Sequence, residues 1–165
     1  VEAHNYHKID IYYQMAFSLA GNLAQKGKFE DAVKIAEKII DNQKIKYQEA
    51  DFLAKLYTRL KDREKSIFYY EMAYKDKPNA NLAMIIGQLI HKQDAPKAMQ
   101  YFADAYVLGQ MNKETDAFKY LEHLYFNEIA KDKTPAEKEE GFKQIIAAAK
   151  ARLGIKVEEN PTPNT

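Results

Sequence analysis

The chain has no cysteine, which excludes disulfides, thiolate metal sites and cysteine nucleophiles. Serine occurs only at Ser18 and Ser66, so serine chemistry has little to work with. No HExxH, di-iron ExxH pair, glycine-rich phosphate loop or EF-hand loop is present. The expectation is a protein that is not an enzyme and needs no cofactor and no metal. His4 and His7, with Asp10 one turn on, have a spacing that could hold a metal, but no further strong ligand accompanies them, and incidental surface histidines are the simpler account. Neither charge sign dominates, the formal net charge being +1, and no dense Lys/Arg cluster is interleaved with aromatics, so nucleic acid is not an expected partner. Long hydrophobic runs are also missing. The longest, Leu82 to Ile90, is too short to span a bilayer and is interrupted by Gly87 and Gln88, so no membrane span is expected.

What is present is helical periodicity. With 165 residues, 46% hydrophobic and 30% charged, the chain suits one compact domain or a short stack of helical pairs. Its organising stretch runs from Gln48 to Pro78. Ala50, Leu53, Ala54, Tyr57 and Leu60 form one apolar stripe, and Ser66, Ile67, Tyr70, Ala73 and Tyr74 form a second beyond a polar turn at Asp62. Small residues alternate with large ones: Ala54 and Ser66 let two helix axes approach, while Tyr57 and Tyr70 fill the space beside them.

The order Ala50-x-x-Leu53-Ala54-x-x-Tyr57, then Ser66-x-x-x-Tyr70, Ala73 and Pro78 resembles the helix-turn-helix unit of the tetratricopeptide repeat. The spacing recurs 34 residues earlier as Ala16-x-x-Leu19-Ala20-x-x-Leu23, followed by Gly27, Phe29, Ala32, Ala36 and Ile39. It recurs downstream as Ala83-x-x-Ile86-Gly87-x-x-Ile90, then Ala98-x-x-x-Phe102 and Ala105, with a turn about one residue shorter. The resemblance implies an all-α fold: a right-handed α-solenoid, or superhelix, of about four antiparallel helix pairs with the last pair divergent. The units are expected at about 5–44, 47–78, 80–110 and 114–154 of a single domain 1–154, with a flexible polar tail over 155–165.

Along the chain, a long first helix over about 5–25 is expected to turn Ile9, Tyr12, Tyr13, Ala16, Leu19, Ala20 and Leu23 inward. Its added turns around Tyr6 and Ile9 would cover the open end of the stack. Gly27 breaks it, and Asn42 to Lys46 connects to the central unit. Asp94-Ala95-Pro96 reads as a helix start, Gly109 as a helix end, and Thr134-Pro135-Ala136-Glu137 as a capping box. Ala117, Phe118, Leu121, Tyr125 and Ile129 predict an amphipathic helix. Its partner carries Phe142, Ile145, Ile146, Ala149 and Leu153.

In the family this sequence resembles, first helices line a concave face that grips an extended peptide or a partner helix. Carried over, the groove positions are Gln14, Phe17, Ser18 and Gly21 in the first unit, and Asp51, Lys55, Thr58 and Arg59 in the second. The third unit contributes Met84, Gln88 and His91, and the last Lys119, His123 and Phe126. Phe17, Met84 and Phe126 lack an obvious core partner in the periodic reading and would serve as anchors, though they could equally pack on the terminal helices. The carboxylate clamp of chaperone-binding repeats is missing, because Phe17 and Gly21 stand where its Lys and Asn would be. Gly87 holds the small packing position, whereas Gly21 does not and implies that a ligand or a helix passes close by. The expected partner is a protein or peptide. The alternatives are self-association as a homo-oligomer, or service as an accessory domain of a larger protein. Because the chain opens on Val1, it reads as a processed chain or excised domain, soluble and either cytoplasmic or exported.

Overall fold

The structure is a computed structural model. It describes the backbone over 2–40 and 45–156, and side chains over 11–38, at 40 and over 45–156. The side chains of His4, Tyr6, His7, Ile9 and Asp10, most of the 42–46 connection and the tail from 157 onward lie outside the described residues. Every regular element among the described residues is helical. The chain divides into two compact units, Val1–Lys77 and Pro78–Thr165.

The first unit contains α1 (Glu2–Gln25), α2 (Phe29–Ile39), α3 (Tyr47–Arg59) and α4 (Arg63–Asp76). α1 packs on α2, α2 on α3, and α3 on α4. The α3–α4 pair is antiparallel. Its chain reverses at Leu60–Asp62, and the N–H of Tyr47, which opens α3, donates to Asp76 Oδ2 at the end of α4, at 2.8 Å. Near the turn, Ser66 lies against α3 and its hydroxyl donates to Ala54 O at 3.1 Å, so the small residue at this crossing also satisfies its own polar group. Ala50, Leu53, Ala54, Tyr57, Tyr70 and Ala73 are buried as the stripe predicts.

The turns after α1 and α3 share one geometry. Gly27 (φ 73°) and Lys61 (φ 60°) take the left-handed conformation, and the next N–H reaches back, Lys28 to Leu23 O and Asp62 to Tyr57 O, each at 2.9 Å. Asp62 then caps α4 by accepting from Lys65 N–H at 3.1 Å.

α1 departs from the expected pattern. Tyr12 and Leu19 do not face inward; they are 70% and 50% exposed. The inward stripe runs through Tyr13, Ala16, Phe17, Ala20 and Leu23, because α1 meets neighbours on only one side. Its opposite side carries Ile11, Tyr12, Met15 and Leu19 into solvent.

The second unit contains α5 (Ala80–Ile90), α6 (Ala95–Leu108), α7 (Asp116–His123) running into a π-helical stretch (Leu124–Ile129), and α8 (Pro135–Arg152). α6 is its centre: α5, α7, the π-helical stretch and α8 all pack on it. The expected starts are present. Asp94 accepts from Lys97 N–H at 3.0 Å, with Pro96 in the first turn. Thr134 and Glu137 form a reciprocal capping box with Pro135 in the first turn. Gly154 (φ 67°) ends α8, but at the end of α6 the left-handed residues are Gln110 and Met111, and Gly109 has φ −82°.

Two further differences concern the closing pair. Ile129 is not part of the buried stripe, because the π-helical stretch, closed by Ala130 N–H to Tyr125 O at 2.8 Å, adds a residue per turn and brings Leu124, Tyr125 and Ala130 inward instead. α8 also approaches the backbone of α6 more closely than that of α7. The wider space is filled by rings: Phe142 lies 5.3 Å from Phe126, 5.7 Å from Tyr125 and 6.2 Å from Phe118.

Candidate functional site

Within the second unit, α5 and α7 both flank α6, and a shallow cleft of about 380 Å³ opens where Gln88 of α5 meets Asp116, Lys119, Tyr120 and His123 of α7. A second depression of about 450 Å³ continues past Lys119 and His123 to Glu122, Phe126 and Asn127. Four residues expected from the sequence, Gln88, Lys119, His123 and Phe126, are therefore brought onto one surface.

Its side chains are held but not used up. Lys119 Nζ lies 3.6 Å from Asp116 Oδ1, an exposed pair that water readily exchanges. The Asn127 amide donates to His123 Nδ1 at 2.9 Å, which leaves the ring proton on Nε2, 3.7 Å from Glu128 Oε1. Tyr120 stacks one ring face on buried Phe102, with centroids 5.2 Å apart, and is otherwise 45% exposed. The lining thus offers an aromatic ring, amide groups, an ammonium and an imidazole, suited to hydrogen-bonding and stacking with a polypeptide. Tyr120 was missed by the sequence reading although it lies on the same stripe as Asp116 and His123.

The remaining expected residues are placed differently. Met84 and His91 are half-buried and do not line the cleft; the His91 Nδ1 sits 3.1 Å from Gln88 O. In the first unit Gln14, Ser18 and Arg59 are exposed, while the Thr58 hydroxyl is committed to Ala54 O at 2.8 Å. Lys55 bonds Asp51 at 2.6 Å, and that hydrogen bond raises the lysine above its ordinary value. Gly21 has no neighbour within 4 Å of where a Cβ would stand, so no helix crosses it among the described residues.

The expectation that Phe17 and Phe126 lack core partners does not hold. Phe17 lies 5.0 Å from Phe52 and 6.2 Å from Tyr13, and Phe126 stacks on Phe142. The terminal helices supply these partners, which a repeat pattern does not encode.

Among the described residues no group of three or more His, Asp or Glu side chains could hold a metal ion, and no helix is long and apolar enough to cross a membrane. No protein-family model matches the chain, and no curated protein is significantly similar to it.

Proposed function

We propose that the protein is a tetratricopeptide-like interaction module, a right-handed α-solenoid of helix pairs that receives an extended peptide or partner helix across its first helices. The observation that carries this reading is the cleft that Gln88 shares with Asp116, Lys119, Tyr120 and His123, where first helices of successive pairs stand side by side. Half-exposed Tyr120, supported from behind by Phe102, is the kind of preformed aromatic anchor that supplies contact area at low entropic cost. The test is selection of peptides from a random display library, followed by binding to variants of exposed lining residues. Binders whose affinity depends on Gln88 and His123 support the reading; binders indifferent to both remove it.

A second reading rests on the exposed stripe of α1. Ile11, Tyr12, Met15 and Leu19 recur at helical spacing in solvent, and a second copy could cover them as a homo-oligomer. Sedimentation equilibrium of the wild type and Met15→Lys/Leu19→Lys decides it: a dimer reduced to a monomer by the substitutions supports self-association, and a monomeric wild type refutes it.

A further inference from the structure

The wider space beside α8 is not filled along its whole length. Below Phe142 it opens into a cleft of about 350 Å³ between the α6–α7 connection on one side and α8 on the other. Its floor is apolar: buried Tyr106, with Phe118 at 5.1 Å from it, then Phe142 and Ile146. Lys113, Lys143 and Lys150 also line it.

Two features set this cleft apart from an ordinary gap between helices. The first is charge. Lys143 pairs with Glu139 at 3.1 Å, but among the described residues no carboxylate lies within ion-pair distance of Lys113 or Lys150, and Lys113 stands 6.0 Å from the centroid of the Phe118 ring. Two uncompensated ammonium groups border an apolar floor, a combination complementary to an anion with an apolar body. The second is the backbone. Gln110 (φ 62°) and Met111 (φ 54°) both adopt the left-handed conformation without being glycine, and the Met111 side chain they present is 41% exposed as a wall of the cleft. Consecutive left-handed residues of this kind are uncommon, and backbone strain concentrates at ligand-binding segments.

We propose that this cleft binds a free amphipathic monocarboxylate, its apolar body on Tyr106, Phe118 and Ile146 and its carboxylate between Lys113 and Lys150. The volume sits at the small end of the range for small-molecule sites and accommodates a single chain of about eight carbons. It is too small for the row of side chains that an extended peptide presents. The site shares no lining residue with the α5–α7 cleft, so the proposal stands apart from the interaction function.

The probe is octanoate, compared with octanamide, which has the same chain and no charge. Binding is followed by the methyl resonances of Met111 and Ile146 in the full chain. Octanoate is expected to shift both, octanamide to bind about tenfold more weakly, and Lys113→Gln/Lys150→Gln to bring octanoate down to the octanamide level. The two lysines make no buried contacts that folding needs, and an unchanged circular dichroism melt verifies this. The wild-type comparison of acid with amide stands without any variant. The proposal is overturned if neither resonance shifts at millimolar octanoate, if acid and amide bind equally, or if the double variant binds octanoate as the wild type does. It is also overturned if a peptide ending in Phe binds there more tightly than octanoate, which would make the site a peptide-terminus pocket.

Discussion

Gly87 lies face to face with the ring of Phe102. A Cβ on Gly87 would stand 2.6 Å from Phe102 Cε1, and Phe102 is only 1% exposed, so the ring has nowhere to go. This contact sets how closely α5 and α6 approach, and it holds Phe102 where Tyr120 stacks on its ring.

Gly87→Ala therefore carries opposing effects. Helix propensity favours alanine by about 1 kcal/mol, but overpacking a filled core costs about 1–3 kcal/mol. The clash wins, and urea denaturation is expected to show a net loss of roughly 1–2 kcal/mol. A stabilised variant would mean that α5 and α6 can separate freely.

Phe126→Ala tests whether that ring is an anchor or part of the packing. Its stack on Phe142 and edge contact with Tyr125 predict a loss of about 1–3 kcal/mol, below the full range for a buried phenylalanine because the ring is half-buried. Melting unchanged from wild type would return Phe126 to the role of a free anchor.

Arg152 Nη2 donates to Asp104 Oδ1 at 2.7 Å, tying the end of α8 to a carboxylate that is 5% exposed on α6. Arg152→Ala leaves that buried carboxylate without its guanidinium. A destabilisation of roughly 3 kcal/mol is expected, with faster amide exchange along the last turns of α8. A smaller effect in Arg152→Ala than in a substitution of exposed Lys143 would contradict this assignment.

Tyr13, Tyr57, Tyr69, Tyr106 and Tyr125 are all raised above the ordinary 10.0, with burial the first cause in each case. At Tyr13 and Tyr57, hydrogen bonds to Glu49 and Glu37 add to it. A raised phenol holds its proton in the fold more tightly than in the unfolded chain. The stability it contributes is complete below pH 10.0 and is lost as pH rises beyond that value. Alkaline titration should show these phenols ionising together with the loss of helical circular dichroism. Ionisation of every tyrosine near pH 10.0 with the helices intact would refute the account.

The helical class and the helix starts were legible in the sequence because they rest on local chemistry. The periodicity of Ala50, Leu53, Ala54 and Tyr57 and the side-chain caps at Asp94 and Thr134 are decided within a turn or two of chain. Three features were not legible. The exposure of Tyr12 and Leu19 depends on which side of α1 has neighbours. The exposure of Ile129 depends on a π-helical turn that no spacing announces. The standoff of α8 depends on how four aromatic rings pack. Of the groove residues, Gln88, Lys119, His123 and Phe126 fall on one surface, because α5 and α7 repeat their spacing around α6. Tyr120 needed the ring of Phe102 to be seen beside it.

The most direct test of the central claim is the affinity of a library-selected peptide for the wild type and for Gln88→Ala/His123→Ala, measured by titration calorimetry. Both side chains are exposed, so the fold should survive, with melting unchanged. The account predicts an affinity at least about tenfold weaker in the variant. Equal affinity for the two proteins would show that the α5–α7 cleft is not where a partner binds.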